Sequence, residues 1–259
     1  MNLDKLKFSL QEAGATDYRY FHSIGSTNDE ALAWAAQGAP DGAVVVADEQ
    51  TKGRGRLSRK WITRPGAALA FSVVLRPSDQ ECQSLQLFSA LAALAVQQAL
   101  AKLTQLPAEI KWPNDVLVNG KKLCGILVET VWMETQVEAL VVGIGVNVAS
   151  SSVPPAKDLL FPATCVEDEA GHEVQREELL TAILDEFFDW RKRISEASFL
   201  DIYCRYLAFK GRSVKINMPG DVEIAGKLSG VNADGSLLVE IKSGEEICVA
   251  AGDLRLRPE

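Results

Sequence analysis

Histidine is nearly missing from this chain: His22 and His172 are the only two among 259 residues. A histidine-centred nucleophile triad therefore has few candidates. Cysteine offers little more. Cys82, Cys124, Cys165, Cys204 and Cys248 are odd in number, far apart and form no C-x-x-C pair. That argues against a disulfide framework or a zinc site and for a reducing cytoplasm. Positive charge is also short. With 27 Lys+Arg against 35 Asp+Glu, a formal net charge of −8 and a sequence pI near 5.0, the chain is poorly suited to a non-specific grip on DNA or anionic membranes. No G-x-x-x-x-G-K-[ST] run occurs and Gly53-Arg-Gly55-Arg-Leu-Ser58 lacks the third glycine of G-x-G-x-x-G, so no known phosphate-loop fingerprint is present, and neither repeats nor low-complexity tracts occur. The N-terminal stretch MNLDKLKFSLQEAG is amphipathic and carries acids, unlike a signal or transit peptide. The most apolar stretch, Leu85–Leu100, is broken by Gln86, Ser89, Gln97 and Gln98, which predicts a buried helix rather than a membrane span.

What is present is an ordinary globular composition, 47% hydrophobic and 24% charged, enough for one large core plus a small appendage. Against the negative whole stands one basic stretch. Thr51–Trp61, TKGRGRLSRKW, holds Lys52, Arg54, Arg56, Arg59 and Lys60 with no acid among them. Gly53 and Gly55 allow positive φ and let backbone N–H groups approach a ligand, the ingredients of an anion-binding nest. Trp61 closes the run with a flat π surface. A phosphate-bearing ligand with an aromatic base would use all three features. A solvated basic loop or a nucleic-acid patch would use the charges alone.

Along the chain, residues 2–13 suit a short helix and Tyr18–Ile24 alternates like a strand. Ser26-Thr27-Asn28-Asp29 opens the next helix, with Ser26 or Thr27 as the natural N-cap and Asp29 suited to the positive end of the helix dipole. Capping explains one hydroxyl; three small polar side chains at one helix entrance could also bind a ligand's polar head. Ala43–Ala47 and Ala67–Leu75 read as buried strands, and a long helix runs from about Ser84 to Leu103. Glu109–Val118 joins Lys121–Val131 through Asn119-Gly120, a strong hairpin signal. Val137–Val148 completes a meander in which Gly143 and Gly145 suggest a bulge or a close backbone approach to a ligand. After Pro154-Pro155 and a polar loop to about Arg176, helices are expected over 177–194 and from about Ser198 to Leu207. From Gly211 the texture changes to short strands over 213–217, 223–231, 236–240 and 245–250. Turns at Pro219-Gly220-Asp221, Asn232–Gly235 and Ser243-Gly244 separate them, a pattern that predicts a small β-barrel.

A second polar cluster lies in Lys111-Trp112-Pro113-Asn114-Asp115, a cation, an amide and a carboxylate around a rigid turn. Pairing across the hairpin would bring Lys122 beside Lys111 and Asp115. Ser26-Thr27-Asn28, Gln50, Gly53–Arg56 with Arg59 and Trp61, Lys111–Asp115, Lys122–Gly125 and Gly143–Asn147 together resemble biotin–protein ligases, also called holocarboxylase synthetases. Order and spacing agree from roughly residue 18 to 150, and the terminal barrel matches the family's small C-terminal domain. Ser58 departs from the pattern, since a glycine is common there. The catalytic motifs also begin almost at Met1, where some members carry a helix-turn-helix domain and act as repressors. The resemblance thus points to a monofunctional form.

The resemblance implies an α+β fold. A mixed β-sheet catalytic domain with flanking helices, class II synthetase-like and of the lipoate–biotin ligase type, would occupy 1–209. An SH3-like β-barrel would occupy 210–259. It implies synthesis of biotinyl-5′-AMP from biotin and ATP with release of pyrophosphate, then transfer of biotin to one lysine of a biotin carboxyl carrier domain of a carboxylase. Arg54, Arg56, Lys111, Asp115 and Lys122 would carry catalysis. Biotin would meet Ser26, Thr27, Asn28, Gln50, Arg54, Gly55, Arg56, Lys122 and Gly125. ATP would meet Arg56, Arg59, Trp61, Lys111, Asn114 and Asn147. Mg²⁺ would accompany ATP, with no protein ligand assigned to it. The carrier would be the partner of a cytoplasmic monomer or homodimer that engages neither DNA nor membrane. Lipoate–protein ligases share fold and chemistry, but the continuous G-R-G-R loop with Trp61 and the terminal barrel favour biotin. A nucleic-acid-binding module built on Lys52–Lys60 is the alternative from another class.

Overall fold

A computed structural model describes residues 1–155, 157, 159, 161–218, 222–250 and 252–255, the last three by their backbone. The expected turn at 219–221 lies outside the described residues.

Seven strands form the main sheet in the order β1-β2-β3-β7-β6-β5-β4. They are β1 (Tyr18–Phe21), β2 (Ala43–Ala47), β3 (Ala68–Leu75), β4 (Ala108–Lys111), β5 (Asp115–Val118), β6 (Lys121–Met133) and β7 (Gln136–Asn147). β1 and β2 run parallel and every other neighbouring pair is antiparallel. The Asn119-Gly120 turn has φ of 50° and 71°, the double positive value that a two-residue hairpin of matching twist requires.

The two-residue period of the strands sorts side chains onto two unlike faces. Leu69, Phe71 and Val73 of β3, and Leu140, Val142, Ile144 and Val146 of β7, join one large core. That core is shared with α1 (Leu3–Glu12), α4 (Phe88–Thr104) and α6 (Arg176–Arg191). The stretch Leu85–Thr104 is long and apolar enough to cross a membrane, but Leu91, Ala92, Leu94, Ala95 and Val96 of α4 are fully buried in this core. The intervening residues, Val74, Ala139 and Val141, turn to the other face and meet α2 (Thr27–Ala36). A helix of this length spans about 15 Å, so it covers only part of that face. The cleft lies on the remainder.

Short elements complete this unit: α3 (Asp79–Cys82), α5 (Val166–Ala170) and α7 (Ala197–Arg205). A second, antiparallel sheet of the small SH3-like kind follows, in the order β11-β10-β9-β8-β12. Its strands are β8 (Ser213–Met218), β9 (Val222–Val231), β10 (Leu237–Glu240), β11 (Glu246–Val249) and β12 (Asp253–Arg255). Val214, Ile216, Leu228, Leu237 and Val239 belong to the same hydrophobic cluster as the main core. The buried Trp112 indole donates to the Gly235 carbonyl at 3.0 Å. The small sheet is therefore packed against the β4–β5 turn.

Most expected elements are present with ends moved by a few residues. The Tyr18–Ile24 strand stops at Phe21, and Ile24 makes one isolated bridge to Gln50. Gly143 and Gly145 form no bulge; they stay in regular register with Ser72 and Ala70. Strand β12 and helix α3 were not foreseen, both being too short for a periodic signal.

Candidate active site

The cleft begins at the entrance to α2. Ser26 occupies the N-cap position in extended conformation, yet its side chain makes no cap hydrogen bond. The first helical N–H, that of Thr27, donates instead to Gln50 Oε1 at 2.7 Å. Capping is thus not what Ser26 does, although the sequence offered that reading. Asn28 is held on both ends: Ser72 Oγ donates to its Oδ1 at 2.6 Å, and its Nδ2 donates to Glu129 at 2.8 Å and to the Leu127 carbonyl at 3.2 Å. This buried network lies across the sheet because β7 carries no side chain beneath it. A Cβ on Gly143 would stand 2.0 Å from Asn28 Oδ1.

The basic stretch folds back on itself. Trp61 N–H donates to the Gly53 carbonyl at 2.9 Å and Gly55 N–H to that of Arg59 at 2.8 Å, with an Arg54–Lys60 bridge between. The positive φ angles fall not on Gly53 and Gly55 but on Leu57 (55°) and Ser58 (59°). The glycines were expected to supply the left-handed backbone. Gly53 instead provides close approach, since a Cβ there would lie 2.3 Å from the Trp61 carbonyl oxygen. The left-handed φ at Ser58 also explains why glycine suits that position.

Arg54 and Arg56 diverge from this hairpin. Arg54 makes a bidentate pair with Glu129 (2.8 and 2.6 Å) and reaches Asp29 at 2.7 Å. The Glu129 hydrogen bonds push its pKa above the usual arginine value. Arg56 points the other way, its Nη1 3.4 Å from Asn114 Oδ1. The Trp61 indole lies over the sheet, where a Cβ on Gly145 would fall 2.5 Å from its Cε2. Its Nε1 is buried and finds no hydrogen-bond partner among the described residues.

The third part comes from the β4–β5 turn and β6. Register alone sets Lys111 opposite Asp115, and Asp115 opposite Gly125. Lys122 would then face the core side, three residues from Gly125 on a period of two. A bulge between Val116 and Leu117 in the pairing with β6 corrects this, matching Leu117 to Lys122 and leaving Leu123 as the extra residue. Bulges re-aim side chains in this way. Lys122 Nζ then lies 2.6 Å from Asp115 Oδ1, while Lys111 Nζ is 3.6 Å from Oδ2. Lys122 also stands over the Trp61 ring at 5.7 Å from its centroid. Cys124, next in line, is wholly buried; burial pushes its thiol pKa up, and it has no nucleophilic character.

A cleft of about 130 Å³ unites these parts. Ser26, Thr27, Asn28 and Gln50 line one end; Arg54, Gly55, Arg56, Arg59 and Trp61 come from the loop; Asn114, Asp115, Lys122 and Gly125 line the other end. Two expected site residues do not line it. Lys111 is 5% exposed behind Asp115, over the Phe161 ring. Asn147 is 4% exposed and donates to the Thr164 carbonyl at 3.0 Å. Sequence reading missed Glu129 and Ser72, whose signal was a polar residue in the middle of an apolar strand. It also missed Gly252, which reaches the cleft from the C-terminal sheet. Asp29 was read only as a helix-dipole partner.

Comparison with known proteins places the chain in a family. Residues 20–147 match the biotin/lipoate A/B protein ligase family. The chain is 37% identical over 237 residues to a biotin--[acetyl-CoA-carboxylase] ligase of Paracoccus denitrificans, covering 87% of this chain and 95% of that one. It is 32% identical over 244 residues to the bifunctional ligase/repressor BirA of Bacillus subtilis, covering 93% and 74% respectively. A solved biotin protein ligase from Aquifex aeolicus, in complex with biotin and ATP, superposes with a TM-score of 0.80 at 31% identity, covering 94% of this chain and all of that one.

Proposed function

The chain belongs to the biotin/lipoate A/B protein ligase family and is an ATP-dependent biotin–protein ligase, and we propose a division of labour among its cleft residues. The enzyme activates biotin with ATP to biotinyl-5′-AMP and pyrophosphate, then passes biotin to a lysine of a carboxylase's biotin carrier. One observation carries the assignment of parts. A polar pocket at the α2 entrance and the Lys122–Asp115 pair face the same cleft from opposite ends, with Arg56 of the basic loop beside the second.

The biotin ureido ring offers two N–H donors and one carbonyl acceptor, which suits Ser26, Thr27, Asn28 and Gln50. Its tail then runs over Gly125 toward Lys122 and Arg56, with Gly55 alongside. In the first step a carboxylate oxygen bonds to the α-phosphorus of ATP and the bond to pyrophosphate breaks. Two unit charges about 4 Å apart repel by about 4 kcal/mol at an effective dielectric near 20. Fixed cations at the reacting end offset that repulsion where charge concentrates in the transition state. Lys122 and Arg56 take this role. Lys111, buried behind Asp115, contributes its field rather than a contact. Adenine stacks on Trp61 beside Arg59 and Asn114, and Asn147 shapes the wall through its bond to Thr164. Mg²⁺ enters with the ATP phosphates; among the described residues no group of three or more His, Cys, Asp or Glu gathers to hold a resident ion.

In the second step the acceptor amine attacks the acyl carbon and AMP leaves. Asp115, flanked by two ammonium groups, orients the incoming amine and takes up its proton as the bond forms. The catalytic unit ends at residue 209 in this reading, and the small sheet from 210 closes the mouth through Gly252. The acceptor is a carrier domain met in the cytoplasm, and the net charge of −8 disfavours DNA or membrane as a further partner.

The test is incubation with biotin, MgATP and a carrier domain, scored by mass on one carrier lysine and by pyrophosphate release. Biotin should be transferred and lipoate should be a poor substitute. Equal or faster turnover with lipoate would overturn the substrate while leaving the adenylation chemistry in place.

A further inference from the structure

We propose that Glu129 is a positioning residue, a latch that docks the basic loop over the cleft through Arg54 and ties the loop to the ring pocket through Asn28. The inference rests on the ligase reading of the cleft and adds a role for Glu129 and Arg54, which that reading leaves unassigned. A carboxylate is an unexpected group here, because the cleft must receive a carboxylate and a triphosphate. Facing substrate, Glu129 would repel both. Its oxygens are turned elsewhere: Oε1 accepts from Arg54 Nη1 at 2.8 Å, and Oε2 accepts from Arg54 Nη2 at 2.6 Å and from Asn28 Nδ2 at 2.8 Å. Asp29 takes the same Nη2 at 2.7 Å. Arg54 therefore meets two carboxylates, and its charge is not directed at the reacting end, where Arg56 points.

This arrangement gives the loop a specific anchor. Its base is fixed by backbone, with Thr51 and Lys52 N–H groups donating to the Ile24 and Gly25 carbonyls at 2.8 Å. The fold-back bonds from Gly53 to Trp61 are internal to the loop and travel with it. Arg54 reaches outward, 75 residues along the chain, to β6. Bidentate guanidinium–carboxylate geometry adds direction as well as strength. Asn28 supplies the second connection. It lines the cleft beside Thr27 and Gln50 and is fixed by Ser72 from below. A ring bound against Asn28 holds Glu129 in the position that receives Arg54. By reciprocity, the closed loop holds the ring pocket in its binding form. A labile mixed anhydride needs such a cover, since water reaching it would hydrolyse it.

The test uses the whole enzyme and two readouts, release of preformed biotinyl-adenylate and tryptic cutting within Lys52–Lys60. Glu129→Gln keeps the shape but replaces an acceptor oxygen with a donor facing Arg54 and Asn28. Losing a charge-assisted contact predicts release faster by roughly 10- to 100-fold. The loop should be cut faster too, and biotin should no longer protect it as it protects the parent. Asp29→Asn, at a more exposed carboxylate, should change release by only a few-fold, about 2 to 5. The charge-swapped pair Arg54→Glu with Glu129→Arg should recover slow release relative to Glu129→Gln. A general structural role would instead lower melting temperature and slow every step, without recovery in the swap. The latch is overturned if Glu129→Gln releases adenylate as slowly as the parent, or if the swap is no slower than Glu129→Gln. Failure of the parent to form adenylate would strike the ligase reading instead, and biotin-dependent tryptic protection still decides the latch.

Discussion

Gly143→Ala is the sharpest probe of the ring pocket, because a methyl group there has nowhere to go. Its Cβ would stand 2.0 Å from Asn28 Oδ1 and 2.8 Å from Cγ, where real contacts do not fall below 3.0 Å. Asn28 must then retreat by about 1 Å or more, 3.0 less 2.0. It is 4% exposed and held by Ser72 on one side and by Glu129 and Leu127 on the other. Retreat breaks at least one of those bonds. Overpacking costs about 1–3 kcal/mol and a lost buried hydrogen bond about 1 kcal/mol more. A loss of about 2–4 kcal/mol lowers the melting temperature of a chain this size by about 5–15 °C. Biotin affinity measured by titration calorimetry should fall about 10-fold or more, since 1.4 kcal/mol is a factor of ten. The control is Gly145→Ala, whose Cβ would meet Trp61 at 2.5 Å. Trp61 sits on a loop and can lift away, so stability should change by less than about 1 kcal/mol while ATP use suffers and biotin affinity holds. Parental biotin affinity in Gly143→Ala, or equal biotin losses in both variants, would refute this assignment of the two ends.

Other outcomes follow from the same contacts. Asp115→Asn should keep pyrophosphate release and slow transfer to the carrier by about 10-fold or more, read by comparing the two half-reactions; equal slowing of both would remove its role in the second step. Ser58→Gly should relieve about 1 kcal/mol of left-handed strain and prolong adenylate retention several-fold, whereas faster release would show that serine is needed for closure. At Asp48, burial works to raise the pKa, but hydrogen bonds from Tyr20, the N-terminal ammonium and Arg176 outweigh it and hold the carboxyl below its usual value. Its contribution to stability is complete above the ordinary aspartate pKa of about 4 and is lost as pH falls through the lower folded value; Asp48→Asn should flatten the acid limb of a melting-temperature profile below about pH 4.

Local chemistry made much of the fold legible. Ala43–Ala47 carries β-branched residues on both faces and is a strand with no exposed position. Asn119-Gly120 dictated a hairpin, and both residues have the positive φ that its turn demands. Gly143 and Gly145 signalled a bulge or close approach to a ligand; the groups that come close in the structure are Asn28 and Trp61 of the chain itself. What could not be read is where a strand slips. The extra residue at Leu123 carries Lys122 onto the cleft face, and nothing in KKLCGILVETV distinguishes it from regular alternation. A reader assuming strict period two would have set Lys122 among the core helices and lost the cluster.

The Arg54–Arg56 pair shows the same limit in sharper form. The two side chains share one motif, one charge and Gly55 as a common neighbour, and sequence reading gave both to the ligand. Their surroundings differ because an extended chain sends residues two apart to the same side only while it stays extended. Gly55 remains extended at φ −132°, but the tight turn begins at Arg56, which swings that side chain toward Asn114. Arg54, still in the extended arm, meets β6 and α2. What each arginine can do then depends on acids at Asp29 and Glu129, remote in sequence and brought together by strand register. A motif specifies which charges are available. The register of the sheet beneath it decides which partners each of them meets, and it sets Arg54 against Glu129 and Asp29 before substrate arrives.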